Sequence, residues 1–354
     1  MMEAWLLHEW QRTSPWQIFL RPVSWLYRLL VAIRRVTYRI GLLKAHSVGV
    51  PVIIVGNITV GGTGKTPLVL ALTEALSKRG LRCGIVTRGY HRGAEASTAN
   101  VTHVLPENTI IPVAGDEATL LARRSGVPVY AGARRADTAR TLLRNHPEVD
   151  VIIGDDGLQH YALRRDIEIC VVDGARGLGN GELLPAGPLR EPTARLNTVS
   201  AVVFNGKGDH AARNIAAIPT FEMTLANEFF INLKTDQCID ARTALAAFRE
   251  NRLHALAGTG HPQRFFAHLF GLGFTPVGTQ SFPDHHSYRE TDMPGPDADI
   301  ILMTEKDAVK CGSFADQRMW FMRIDAILPT ELVDFVVNKL EQRKPANVTR
   351  SEAS

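Results

Sequence analysis

The run Val52-Ile-Ile-Val-Gly-Asn-Ile-Thr-Val-Gly-Gly-Thr-Gly-Lys-Thr-Pro67 constrains this chain more than any other stretch. Its apolar, β-branched opening, Val52 to Val55, reads as a buried parallel strand. Gly61, Gly62, Thr63 and Gly64 form a flexible turn, and Lys65-Thr66-Pro67 leads into an apolar-periodic helix from Leu68 to Lys78. Strand, glycine turn and helix N-terminus in that order make a phosphate-binding loop. Glycines let backbone N–H groups converge on phosphate oxygens, and the helix end adds partial positive charge. Lys65 would reach the β- and γ-phosphates of a nucleotide, and Thr66 Oγ1 would ligate Mg²⁺. Pro67 suits the first helical turn, where no N–H is wanted. The usual pattern has glycine at position 59. This chain has Thr59, so the loop is a variant.

With 354 residues the chain can build two domains and a substantial core. Apolar content of 45% and charged content of 21% describe a globular protein rather than a disordered or fibrous one. A formal charge of +4 does not by itself point to nucleic acid, and none is expected as a partner. Cys83, Cys170, Cys238 and Cys311 are too scattered for metal-ligand spacing and read as ordinary reduced thiols.

Residues 1–46 have a different texture. Trp5, Trp10, Trp16 and Trp25 fall here, with neither a signal-peptide cleavage pattern nor an apolar run long enough to span a bilayer. On a helical wheel Trp25, Leu26, Leu29, Leu30, Ile33, Val36 and Ile40 share one arc, and Arg28, Arg34, Arg35 and Arg39 lie opposite. Such a helix suits a membrane interface. The alternative is a helix packed on its own domain with arginines in water.

Further along, Cys83–Thr87 is a strand ending in Arg88-Gly-Tyr-His-Arg-Gly, and open α/β sheets place ligands at such strand ends. Gly115-Asp116-Glu117 precedes a helix. The strand beginning at Val149 ends in Asp155-Asp156-Gly-Leu-Gln159-His160. Adjacent aspartates repel, so a cation or a donor must offset them, as at the Mg²⁺ side of a nucleotide site. Ile167–Asp173 and Ala201–Phe204 are further strands, separated by a long Gly/Pro-rich loop. Phe221–Leu225 and Glu228–Leu233 alternate as a connecting ribbon, after which a second α/β unit begins at Leu253. Phe282-Pro-Asp284-His285-His286 is a polar loop, and Thr304-Glu-Lys-Asp307 follows another strand.

Taken in order, these motifs and Leu184-Pro-Ala-Gly-Pro-Leu-Arg-Glu191 resemble the tetraacyldisaccharide 4′-kinase family, the lipid A 4′-kinases. The resemblance implies an ATP- and Mg²⁺-dependent kinase at the cytoplasmic face of the inner membrane. Its substrate would be an acylated glucosamine disaccharide 1-phosphate, with no obligate protein partner. It implies nucleotide contacts along Thr59, Gly61–Thr66 and Pro67, and catalytic roles for Lys65, Asp116, Arg135 (or its neighbour Arg134), Asp156 and His285. Thr66, Glu117 and Asp155 would serve the metal, with the choice between Asp155 and Asp156 open. Asn57, Arg88, Gln159 and His160 would meet the substrate. The family has Phe where this chain has Leu158. A phosphate-loop ATPase switch that rides on membranes shares the loop and the helix, but not the His-rich acceptor loop.

The expected fold is a phosphate-loop NTPase-like α/β core at 47–220, joined by a β-ribbon linker at 221–252 to a smaller α/β domain at 253–345. An amphipathic membrane-interface helix lies within 1–46, and 346–354 is a disordered tail.

Overall fold

The computed structural model describes residues 9–10, 12, 14–89, 101–105, 114–207 and 218–343. Trp5, Tyr90 to Gly93 and the tail 346–354 lie outside them. In chain order the elements are α1 (Trp16–Arg39), β1 (Val52–Gly56), α2 (Lys65–Lys78), β2 (Cys83–Thr87), β3 (Thr102–Val104), α3 (Asp116–Ser125), β4 (Val129–Ala131), α4 (Arg135–Asn145), β5 (Val151–Asp155), β6 (Ile167–Asp173) and β7 (Ala201–Asn205). There follow β8 (Thr220–Asn232), β9 (Cys238–Asp240), α5 (Ala241–Ala247), β10 (Leu253–Ala257), α6 (Pro262–Gly271), β11 (Gly278–Ser281), β12 (Ile300–Thr304), α7 (Glu305–Cys311), β13 (Met319–Ile327) and α8 (Thr330–Glu341).

All strands join one sheet in the order β11-β10-β12-β13-β8-β7-β6-β1-β5-β2-β4-β3, with β9 on β8. Pairing is parallel except at β13–β8, β8–β9 and β3–β4. Strand periodicity sorts the core. Ile53 and Val55 face α2, α3 and α8, whereas Val52 and Ile54 join the cluster that includes Ala139 and Leu142 of α4. Both faces are covered, which is why the central strands read as unbroken apolar runs.

The expected ribbon takes a different form. Phe221–Leu225 and Glu228–Leu233 are not two strands but the two ends of β8, a single strand of 13 residues. Its first part pairs with β7 and its remainder with β13. The ribbon partner is therefore β13, distant in sequence and not foreseen from the motifs. The chain crosses along β8 and returns along β13, and α8 then packs with Leu68, Leu72 and Leu76 of α2. Arg79–Asp334 and Arg343–Asp166 ion pairs fix that return.

α1 sits in an inverted sense. Its buried residues are polar, Gln17 and Ser24, while Phe19, Trp25, Leu26, Leu29, Leu30, Ile33 and Val36 are each at least half exposed. Arg28, Arg34 and Arg39 are exposed and Arg35 is half-buried toward the protein. No helix among the described residues is long and apolar enough to cross a membrane.

Candidate active site

Parallel neighbours β1 and β5 end side by side, with Val55 opposite Asp155, so the glycine turn and the double aspartate share one edge of the sheet. Gly64 has φ 91°, and a Cβ there would come within 2.4 Å of Asn205 Nδ2. Only glycine fits that turn. Asn205 Nδ2 donates to Thr63 O (3.2 Å) and steadies it from below. Thr59 is nearly buried and bridges to Leu189 in antiparallel fashion. The residue that departs from the pattern is thus an extended, paired position, where glycine's freedom has no use. Thr66 and Pro67 open α2 as expected.

Lys65 Nζ lies 3.3 Å from Asn57 Oδ1 and 3.5 Å from Asp156 Oδ1. Asn57 is fully buried beneath the loop, also donating to Gly61 O (3.3 Å). Gln159 Nε2 donates to Asn57 O (3.1 Å) and to Glu191 Oε1 (2.7 Å), so its amide braces the loop rather than reaching into the cleft. Asp156 adopts φ 47°, turned out of the strand toward Lys65 and toward Arg190, whose Nη1 is 3.4 Å away. Burial works to raise the Asp156 pKa, but Lys65, Arg190 and Arg135 outweigh it and hold the group below its ordinary value.

Asp155 is the opposite case. Its side chain is buried, and one oxygen receives only a 3.4 Å contact from Thr87 Oγ1 while the other has no hydrogen-bond partner. Burial first, then the negative charges of Glu117 and Asp156, push its pKa well above the carboxylate range. An orphaned buried oxygen beside two further carboxylates is the environment a hard cation relieves. No cluster of three or more His, Cys, Asp or Glu ligands is preassembled among the described residues. Mg²⁺ does not need one, since it keeps waters and phosphate oxygens in its shell.

Across the cleft, His285 Nδ1 lies 2.9 Å from Asp116 Oδ2 and 3.1 Å from Oδ1. His285, at φ 61°, comes from the loop after β11, and Asp116 is the first residue of α3. Burial alone would raise the Asp116 pKa. Its hydrogen bond with His285 and the charges of Lys306 and Lys310 bring it down to about 2. Lys306 stands 3.7 Å from Asp116, 3.5 Å from Glu117 and 3.0 Å from Asp284. Arg135 is buried, donating to Gly132 O (2.9 Å) and Asp155 O (3.2 Å), whereas Arg134 points into solvent. His160 is half-buried, and burial together with Arg135 and Arg88 lowers its pKa to about 4, so the ring is neutral at pH 7. Arg88 is exposed at the end of β2. Lys65, Glu117, Asp156, Arg190, His285 and Lys306 all line one cleft of about 970 Å³.

Lys306 and Arg190 have no role in the motif reading although their motifs are quoted in it. Lys306 follows the end of β12 between two acids, a faint signal at most, and Arg190 lies in the long loop between β6 and β7, where its sequence carries none.

The sequence matches the family described as tetraacyldisaccharide-1-P 4′-kinase over residues 16–341. This chain belongs to that family. Tetraacyldisaccharide 4′-kinase of Methylobacillus flagellatus is 47% identical over 95% of this chain and 96% of its own length. The Dechloromonas aromatica protein of the same name is 44% identical over 98% of this chain and 100% of its own. Among solved structures, the crystal structure of the "apo" form of LpxK from Aquifex aeolicus in complex with ATP superposes with a TM-score of 0.76. It shares 28% identity and covers 92% of this chain and 99% of its own. Family membership thus rests on nearly the whole chain, and the ATPase switch class falls away.

Proposed function

We propose that this chain transfers the γ-phosphate of ATP to the 4′-hydroxyl of an acylated glucosamine disaccharide 1-phosphate, giving the 4′-phosphorylated lipid A intermediate. The observation that carries the reading is that Lys65 of the phosphate loop and His285, held from behind by the buried Asp116, line the same cleft. In-line transfer needs positive charge on the phosphate oxygens and a base for the attacking hydroxyl, and little covalent chemistry besides. Lys65 and Arg190 supply the charge. Asp116, ionised down to about pH 2, is a weak base but a firm orienting group. It holds Nδ1, so that Nε2 of His285 takes the hydroxyl proton as the sugar oxygen bonds to the γ-phosphorus. The bond from γ-phosphorus to the β–γ bridging oxygen breaks and ADP leaves. Mg²⁺, when bound with the nucleotide, supplies charge neutralisation on the phosphates. Thr66, Glu117 and Asp155 are the groups that would hold it.

The inverted α1 supports a peripheral seat on the cytoplasmic face of the inner membrane, its apolar arc in the interface. The units on either side of β8 and β13 then act as a phosphate-loop core and a smaller acceptor-loop unit. The test is transfer of label from γ-labelled ATP to the acylated disaccharide 1-phosphate in detergent. Lys65→Ala should lower kcat by on the order of 10²-fold or more with the fold intact. Near-normal turnover in that variant would remove the phosphate loop from the mechanism.

A further inference from the structure

We propose that Tyr27 and Ser24 of α1 are positioning residues for phosphoryl transfer, acting through the loop Leu183–Arg190 that they hold. The inference rests on the kinase reading of Arg190 given above.

A helix held to its protein by packing buries its apolar side. α1 turns most of that side out, so its seat is made largely of directional polar contacts, with the Tyr27 ring also packed against the apolar cluster that includes Leu183 and Leu189. Ser24 Oγ donates to Leu183 O (2.9 Å) and accepts from Ala186 N (3.0 Å). Tyr27 Oη donates to Arg190 O (3.1 Å), and Arg21 pairs with Glu182 at 3.2 Å. Trp10 Nε1 donates to Pro185 O (3.0 Å) just before the helix.

What this loop touches next gives the contacts their meaning. Pro188 O accepts from Val60 N (2.8 Å), and Leu189 bridges Thr59, immediately before the glycine turn. Arg190 N donates to Ile58 O (2.6 Å). The backbone of Arg190 is therefore clamped on both sides, its amide by the approach to the phosphate loop and its carbonyl by Tyr27. From that fixed base its guanidinium extends to Asp156. A plain tether needs none of this, because a helix that only moors the protein can be attached anywhere. Phosphoryl transfer, by contrast, responds to displacements of an ångström in its charged groups.

The test uses the full-length chain, ATP with Mg²⁺, and acylated disaccharide 1-phosphate dispersed in detergent. Tyr27→Phe removes one hydroxyl and keeps the ring. Ser24→Ala removes the other anchor. Each should lower kcat by about 10-fold while the lipid KM and sedimentation with anionic vesicles stay at parent values. Amide hydrogen exchange should rise over residues 183–191 and stay unchanged within α1. The parent's own turnover, with Lys65→Ala as the inactive control, tests the kinase reading separately. A kcat within about 2-fold of the parent in both variants would overturn the proposal. So would exchange that rises along α1 itself together with a loss of vesicle binding, since that pattern belongs to a helix that only anchors.

Discussion

Asp116 and His285 share one hydrogen-bonded unit, so their losses should not multiply. Asp116→Ala and His285→Ala should each lower kcat with little change in ATP affinity, and the double variant should be scarcely worse than the poorer single one. Single-turnover rates for the three variants check this, and multiplied losses would mean that the residues act apart. Asp155 makes a different demand. Its folded pKa is raised above the ordinary 3.8, so its contribution to stability is fully present below about pH 4 and is lost as pH rises through the neutral range. Without divalent cation, Asp155→Asn should therefore melt higher than the parent at pH 8 and close to it at pH 4, while losing activity. Thermal melts in chelator at the two pH values decide it. At this scale Asp155-Asp156 was readable because adjacent acids at a strand end repel and need a cation or a donor. Asp116-Glu117, at a helix start where acids are favoured, drew its roles only from the family resemblance. Lys306 was not readable, because a lysine at the start of a short helix looks like any solvated charge until three carboxylates converge on it.

At the scale of elements, periodicity located most strands closely, and Ile167–Asp173 is matched to the residue. It also separated the two arcs of α1. The direction each arc faces was not legible, since a wheel gives the angle between faces and not which one meets the protein. The observed orientation makes the membrane prediction sharper. Burying a few of Leu29, Leu30, Ile33 and their neighbours contributes about 1.5–3 kcal/mol each, and each arginine near an anionic surface adds roughly 1 kcal/mol. Leu29→Ser with Ile33→Ser should loosen binding to anionic vesicles with little salt dependence. Arg28→Glu with Arg34→Glu should loosen it strongly in low salt and less in high salt. Co-sedimentation across a salt series measures both, and parent-like binding by both double variants would place the membrane contact elsewhere.

At the scale of the whole molecule, the strand order could not be read from the chain, because β8 pairs with β13 across the intervening residues 233–318. Arg124 of α3 shows what joins the two sides behind the cleft. It pairs with Glu305 of α7 at 2.7 Å and with Asp325 of β13. Arg124→Met would leave two acids facing each other in a largely buried setting, at a cost on the order of 1–3 kcal/mol. The melting temperature should fall, and kcat with it, because α3 carries Asp116 and α7 carries Lys306. A variant as stable and active as its parent would show that the sides are held by other contacts. The crossing itself, β8 against β13 with a register shift between Arg323 and Asp325, has a mechanical meaning. Two walls that share a hydrogen-bonded ladder have no slack joint between them. Any change in the width of the cleft is therefore a change of twist spread over that ladder rather than a rotation about a loose connecting segment.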